Sequence, residues 1–213
     1  IIPASELARF GGGSVMFVFE TEQASYRASV TVADKVIRTA DDLLAINESA
    51  ETLSKYYILG NDIDLQGAEI YAIGRYEETD MSQAFTGTFD GAGFTIRNFT
   101  VRSAKDGSTY NVGFFGYLRG KVMRLNLENG AVSGYNFVGG FVGSASSKAT
   151  VSDCTYTGTV TNLNPNPGAT AFGRFVGKNG GVISNCGASA MDGLSFCGKI
   201  ENAGTVTGDY VID

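Results

Sequence analysis

The 213-residue sequence contains no histidine, and that absence removes the commonest general base together with every Ser-His or Cys-His nucleophile arrangement. Any catalysis would fall to carboxylates, lysine or tyrosine. Cysteine is scarce as well. Cys154, Cys186 and Cys197 are too few, and odd in number, for a disulfide framework, and their spacing matches no CxxC metal pattern. No metal site and no cofactor are therefore expected. Positive charge is in the minority, 16 Lys and Arg against 22 Asp and Glu, for a net charge of -6. Such a balance repels a phosphate backbone, which excludes nucleic acid as an expected partner. Long apolar runs are missing too: none approaches the roughly 18 residues that spanning a bilayer requires. The opening IIPASELARFGGG lacks the basic and apolar regions of a signal peptide. The chain reads as soluble, without a transmembrane segment, any export signal having been removed before Ile1. Proline occurs only 3 times whereas glycine occurs 29 times, and 43% of residues are hydrophobic, so a sizeable core is affordable and one elongated domain is expected.

What is present is a repeat. The stretch VGGFVGSASSKATVSDCTYTG (138–158) shares its order with VGFFGYLRGKVMRLNLENG (112–130) and FGRFVGKNGGVISNCGAS (172–189): Phe-x-Gly, a short polar turn, then an alternating segment. Aligning the second halves sets TIRNFTV (95–101), KVMRLNL (121–127), TVSDCTY (150–156) and VISNCGA (182–188) one over another, with Ile96, Val122, Val151 and Ile183 equivalent and spacings of 26, 29 and 32 residues. Each segment alternates like a strand with a bend or bulge near its middle. A period near 30 with strand-like units predicts a solenoid, a parallel β-helix whose equivalent strands stack about 4.8 Å apart. On this alignment Phe99, Leu125, Cys154 and Cys186 form one internal ladder. Gly139, Gly140 and Gly143 mark corners where the coil bends, with Phe141 filling the interior. Cys154 and Cys186 are close enough in such a ladder for a disulfide, yet the reading favours buried thiols acting as small hydrophobes. Polar insertions such as SAKDGSTYN (103–111) and NLNPNPGAT (162–170) read as loops leaving the coil.

The N-terminal part differs. VMFVFE (15–20) and YRASVTV (26–32), joined by five residues, predict a β-hairpin. TADDLLAINESAE (39–51) predicts the one helix, with Thr39 as N-cap, Asp42 at the third helical position and Leu43, Leu44 and Ile46 apolar; it is expected to cover the open end of the solenoid.

YYILGNDIDLQG (56–67), IYAIG (70–74), FTGTFDGAGFTIRNFTV (85–101), VGFFGYL and VGGFVG, in that order, resemble the GLUG-motif repeat family of bacterial surface proteins over about residues 36–190. The resemblance implies an all-β, right-handed parallel β-helix of the pectin-lyase type. Members occur in adhesin-like exported proteins and in the N-terminal, non-catalytic regions of immunoglobulin-A proteases. Arg174 stands where the other copies have glycine, and after Cys186 the pattern fades into a degenerate coil or cap. Residues 1–35 fall outside the resemblance and read as a hairpin or the remnant of a preceding immunoglobulin-like module, leaving 36–213 as the β-helix domain.

Few residues suggest chemistry. Asp62 and Asp64 share one side of a strand, with Asp90 a coil later, and paired carboxylates suit calcium or acid–base work on a sugar. The turn-like contexts NDIDL and DGAG favour a structural role. Arg97, Arg119, Lys121 and Arg124 cluster by coil without a matching carboxylate set and read as a solvated face. The loop RYEETDMSQ (75–83) interrupts the repeat, and its Arg75, Tyr76, Glu77 and Glu78 are the candidate binding residues, since recognition concentrates on loops of rigid scaffolds. No catalytic residue is assigned. The expected function is that of a non-enzymatic, monomeric, surface or secreted module that binds a glycan or protein or acts as a spacer. The alternative is a carbohydrate-active lyase or hydrolase, which would show acids and bases converging in a lateral cleft.

Overall fold

The computed structural model describes residues 13–75, 83–103, 110–165, 170–201 and 204–212. Strands β1 (Gly13–Glu20) and β2 (Ser25–Val32) form an antiparallel hairpin with a four-residue connection, 21–24. β3 (Lys35–Ile37) follows, and then α1 (Ala40–Leu44). Thr39 caps this helix as expected. Its side chain accepts from the Asp42 N–H, and the Asp42 carboxylate accepts from the Thr39 N–H, a reciprocal capping box. The helix is shorter than the periodicity suggests, continuing as 3₁₀ turns at Ala45–Asn47 and Thr52–Ser54. Leu43 and Ile46 are buried while Leu44 points to solvent.

From β4 (Tyr56–Leu59) and β5 (Ile63–Ile70) onward the chain winds as a parallel β-solenoid of about four turns. The second coil comprises β6 (Thr88–Asp90), β7 (Thr95–Arg102), β8 (Asn111–Val112) and β9 (Phe115–Leu118). The third comprises β10 (Lys121–Met123), β11 (Asn126–Gly134), β12 (Phe137–Gly139) and β13 (Val142–Ala145). The fourth comprises β14 (Thr150–Ser152), β15 (Thr155–Asn162), β16 (Ala171–Gly173) and β17 (Val176–Asn179). β18 (Val182–Ser184), β19 (Gly187–Ser189), β20 (Cys197–Ile200), β21 (Thr205–Thr207) and β22 (Tyr210–Ile212) finish the stack. Equivalent strands build walls of seven, six, three and four strands, every neighbour parallel.

Inside, one side chain per strand repeats its position at each level. Tyr57, Phe89, Val122, Val151 and Ile183 form one row, each no more than 2% exposed. Phe115, Phe141, Phe175 and Phe196 form another, with centroid spacings of 5.8, 4.6 and 4.9 Å, the last two pairs stacked nearly parallel. Burying each such ring stabilises the fold by about 1.5–3 kcal/mol relative to solvent.

Three details correct the alignment read from sequence. Val122 pairs with Phe89, and Ile96 pairs with Leu127, one wall further on. The alternating segments thus cross a corner, and Phe99 lies opposite Gly130, not beside Leu125. Leu125, Cys154 and Cys186 do share a row, tied by Thr155 N–H to Leu125 O (3.0 Å) and Gly187 N–H to Cys154 O (2.9 Å); Phe94, whose carbonyl accepts from Asn126 N–H, takes the fourth place. Both cysteines are fully buried free thiols, as expected. The pattern also persists past Cys186, since Phe196-Cys197-Gly198 repeats Phe175-Val176-Gly177 in register.

The glycines of VGGFVG are needed for room and not for bending. Gly139, Gly140 and Gly143 all have negative or extended φ. A Cβ on Gly140 would overlap the ring of Tyr156, whose hydroxyl donates to the carbonyls of Gly130 and Thr159 at 3.0 and 2.9 Å. One coil on, the register partner of Tyr156 is Ala188, and there Arg174 fills the equivalent position, its Nη1 reaching Ser189 O at 3.3 Å. The left-handed corners fall instead to Ala92, Arg124, Asp153 and Asn185, with φ of 51, 51, 56 and 53°.

Candidate functional site

An open groove of about 530 Å³ lies on the outer face of the seven-stranded wall, where β4, β6 and β10 run side by side and β2 stands over one edge. Its floor follows from register. The outward side chains of the first row are Tyr56, Thr88 and Lys121, and Asp90 and Met123 lie beside each other in the next. Arg124, at the left-handed corner after β10, closes one end.

Asp90 is the anchor. It is 1% exposed, and its carboxylate accepts from Ala92 N–H at 2.8 Å and from Arg124 through both Nε (3.1 Å) and Nη2. That two-point contact, together with the charge of Asp90, raises the Arg124 pKa further and fixes the guanidinium plane. The Arg124 side chain remains about half exposed. Burial, and then the neighbouring Asp90 charge, raises the pKa of the Tyr56 phenol, which is held neutral. Asp34 is engaged at the back of the groove, its carboxylate accepting from Tyr56 N–H at 2.7 Å. Lys121 is exposed, and among the described residues it has no ion-pair partner.

The carboxylates singled out from sequence are structural. Asp62 accepts from Thr95 N–H at 2.9 Å. Asp64 accepts from Gln66 N–H (2.8 Å), Asn98 Nδ2 (2.9 Å) and Arg97 Nε (3.1 Å), and these bonds, that of Asn98 foremost, lower its pKa. Asn129 Nδ2 then donates to Asn98 Oδ1 at 2.6 Å, extending a polar ladder up the outside of the wall. Two of the four basic residues do have matching carboxylates, contrary to the sequence reading: Asp64 for Arg97 and Asp90 for Arg124, each a coil away. Among the described residues no group of three or more Cys, Asp or Glu side chains is arranged to hold a metal ion.

Of the candidate binding loop, Arg75 lies with its guanidinium 4.7 Å over the ring of Tyr71, which is 71% exposed. Tyr76, Glu77 and Glu78 lie outside the described residues, as do residues 104–109 and 166–169 of the other two loops. The groove itself was not anticipated. Its residues lie about 30 positions apart, and the offset between Asp90 and Arg124 becomes a signal only once β6 is aligned with β10.

These features define a parallel β-helix module with one differentiated lateral face. A family model for the GLUG motif matches residues 130–161, from within β11 to within β15, and the chain carries that motif there. Halomucin from Haloquadratum walsbyi is 34% identical over 134 residues, which span 59% of this chain and 1% of halomucin. The crystal structure of a proposed immunoglobulin A1 protease from Bacteroides ovatus superposes with a TM-score of 0.54 at 17% identity, over 83% of this chain and 66% of that one, a likeness of fold alone. The chain thus spans a very small part of the curated relative and just under two thirds of the structural one. No helix among the described residues is long and apolar enough to cross a membrane.

Proposed function

We propose that this chain is a non-enzymatic, adhesin-like display module of an exported or surface protein, monomeric, which binds a glycan or protein along its lateral wall or holds other parts of its parent protein at a distance. The observation that carries this reading is the use made of the acids. Asp62, Asp64 and Asp90, the residues best suited by sequence to metal binding or acid–base work, each accept hydrogen bonds from the neighbouring coil and so serve the wall. Relatedness to a mucin-named protein supports a place outside the cell.

A second reading has one observation in its favour. The groove gathers Asp34, Asp90, Lys121 and Arg124 on one lateral face, the arrangement expected of a carbohydrate-active lyase or hydrolase. Incubating the purified protein with a polysaccharide panel and assaying unsaturated and reducing ends decides between them. The display reading expects no release. Release abolished by Asp90→Asn in a variant that keeps its fold would establish the enzyme.

A further inference from the structure

We propose that the groove over β4, β6 and β10 is a binding site for a sugar unit carrying a single negative charge, received by Lys121 and the free edge of Arg124. The inference rests on the display reading and names the ligand class for it.

The groove departs from the repeat that surrounds it. Along the outward row containing Lys121, the register partners are Tyr56, Thr88, Thr150, Val182 and Thr205, none of them charged. At the corner row, Arg124 is preceded by Ala92 and followed by Asp153 and Asn185. A wall that serves only to stack needs no cation at either place, yet both cations fall in one coil, Lys121 opening the three-residue strand β10 and Arg124 at the corner just after it. Arg124 is held for the task. Asp90, itself buried, occupies Nε and Nη2, and among the described residues Nη1 has no partner. A guanidinium locked by a buried carboxylate presents its remaining N–H groups without further loss of rotamer freedom. Lys121, which has no ion-pair partner among the described residues, supplies a second positive charge.

The rest of the lining selects a sugar. Thr31, Ser54, Thr86 and Thr88 bring hydroxyl groups, and Tyr56 offers part of a ring edge, whereas the groove is open and Met123 is the one aliphatic side chain of note in its described lining, unlike an enclosed apolar pocket that anchors a peptide side chain. The acids limit the ligand to one charge. Asp34 and Asp90 border the groove, and the chain as a whole carries -6, so a polyanion would meet repulsion within about a Debye length, ~8 Å at physiological salt, of the two cations. The anionic group itself can be carboxylate or sulfate, both of which accept from guanidinium and ammonium donors.

The test measures binding of the whole chain, by calorimetry or ligand-observed NMR, to three forms of one trisaccharide: neutral, ending in glucuronate, and bearing one sulfate. A tetrapeptide with one glutamate is included. The site predicts tighter binding of at least one charged sugar than of the neutral one, weakened by added salt. It also predicts a roughly ten- to hundredfold loss in Lys121→Gln, the effect of losing one charge-assisted contact, while Lys199→Gln on β20, in a different wall at the far end of the stack, binds like the parent. Because Lys121 is exposed and unpaired, its replacement should leave the melting temperature unchanged; Arg124→Lys, which keeps the charge but not the fork, should lose affinity for the same sugar. Equal binding of neutral and charged sugars, preference for the peptide, no sugar binding at millimolar concentration, or indifference to Lys121→Gln would each overturn the inference and leave the display reading standing. Cleavage of the charged sugar would sink the display reading instead and leave the site in place.

Discussion

The middle of the solenoid and its last coil have the same backbone and different interiors. Between β9 and β17 each inward ring has a neighbour above and below; Phe141 lies between Phe115 and Phe175 and is fully buried. In the last coil the ladder continues through β20, β21 and β22, but Ile200, Tyr210 and Val211 are 55, 48 and 51% exposed. Hydrogen-bonded register is therefore inherited from the coil beneath, whereas burial has to be supplied from both sides. Stability in such a stack is a sum of unit and interface terms, and the end units lack one interface.

The sharpest way to test that contrast is to remove the same ring at both levels. Phe141→Ala should cost about 3–5 kcal/mol, the range for a fully packed ring. Phe196→Ala, which removes a ring stacked on one side only, should cost clearly less. Urea unfolding of both variants reads the difference, and equal losses would show that the stack behaves as one cooperative body. Next in size, Gly140→Ala should destabilise by about 1–3 kcal/mol through overpacking against Tyr156. Tyr156→Ala in the same chain should recover part of that loss, as Ala188 accommodates Arg174 one coil later; a double-mutant cycle with no coupling would refute the account.

The thiols extend the comparison to kinetics. Burial pushes the Cys154 thiol well above its usual pKa, and Cys197, near the end of the stack, is pushed up to about 11 but is only partly buried. Labelling of the native protein should modify Cys197 first, and the denatured, non-reduced protein should yield three thiols. Finding one would mean that the central pair had been oxidised. The smallest effect is expected at the opposite end, on the α1 cap. Hydrogen bonding from Lys35, and then from the Arg38 N–H, lowers the Asp42 pKa to about 2. A depressed carboxyl pKa contributes stability that is present above its ordinary value near 4 and lost as pH falls toward about 2. Amide exchange of residues 40–46 should accelerate across that window ahead of the central strands, and Asp42→Asn should remove the dependence.

Much of the stack was legible in the sequence because its rows are made of large apolar residues at nearly constant spacing. Val122, Val151 and Ile183 align on inspection, and Thr39 with Asp42 announces the cap. The coil before them was misread because the corner between β6 and β7 holds Gly91, Ala92 and Gly93 ahead of Phe94, whereas β10 needs only Arg124 ahead of Leu125. Left-handed corners occupied by alanine and arginine carry no signal of the glycine kind. The groove was hidden for another reason. Its charge pair, Asp90 with Arg124, is local in space and 34 residues apart in sequence, and Asp90 stands in a DGAG context that signals a turn.

The direction of the hydrogen bonds has a mechanical consequence. In every wall they run from coil to coil, along the long axis, and the strands at the two extremes, β3 and β21 or β22, lie at opposite ends of the stack. Tension applied between those ends would load the bonds one level at a time, in peel and not in shear. A surface fibre containing such a segment would then give way by paying out roughly 30 residues per step, dissipating a pull gradually instead of snapping.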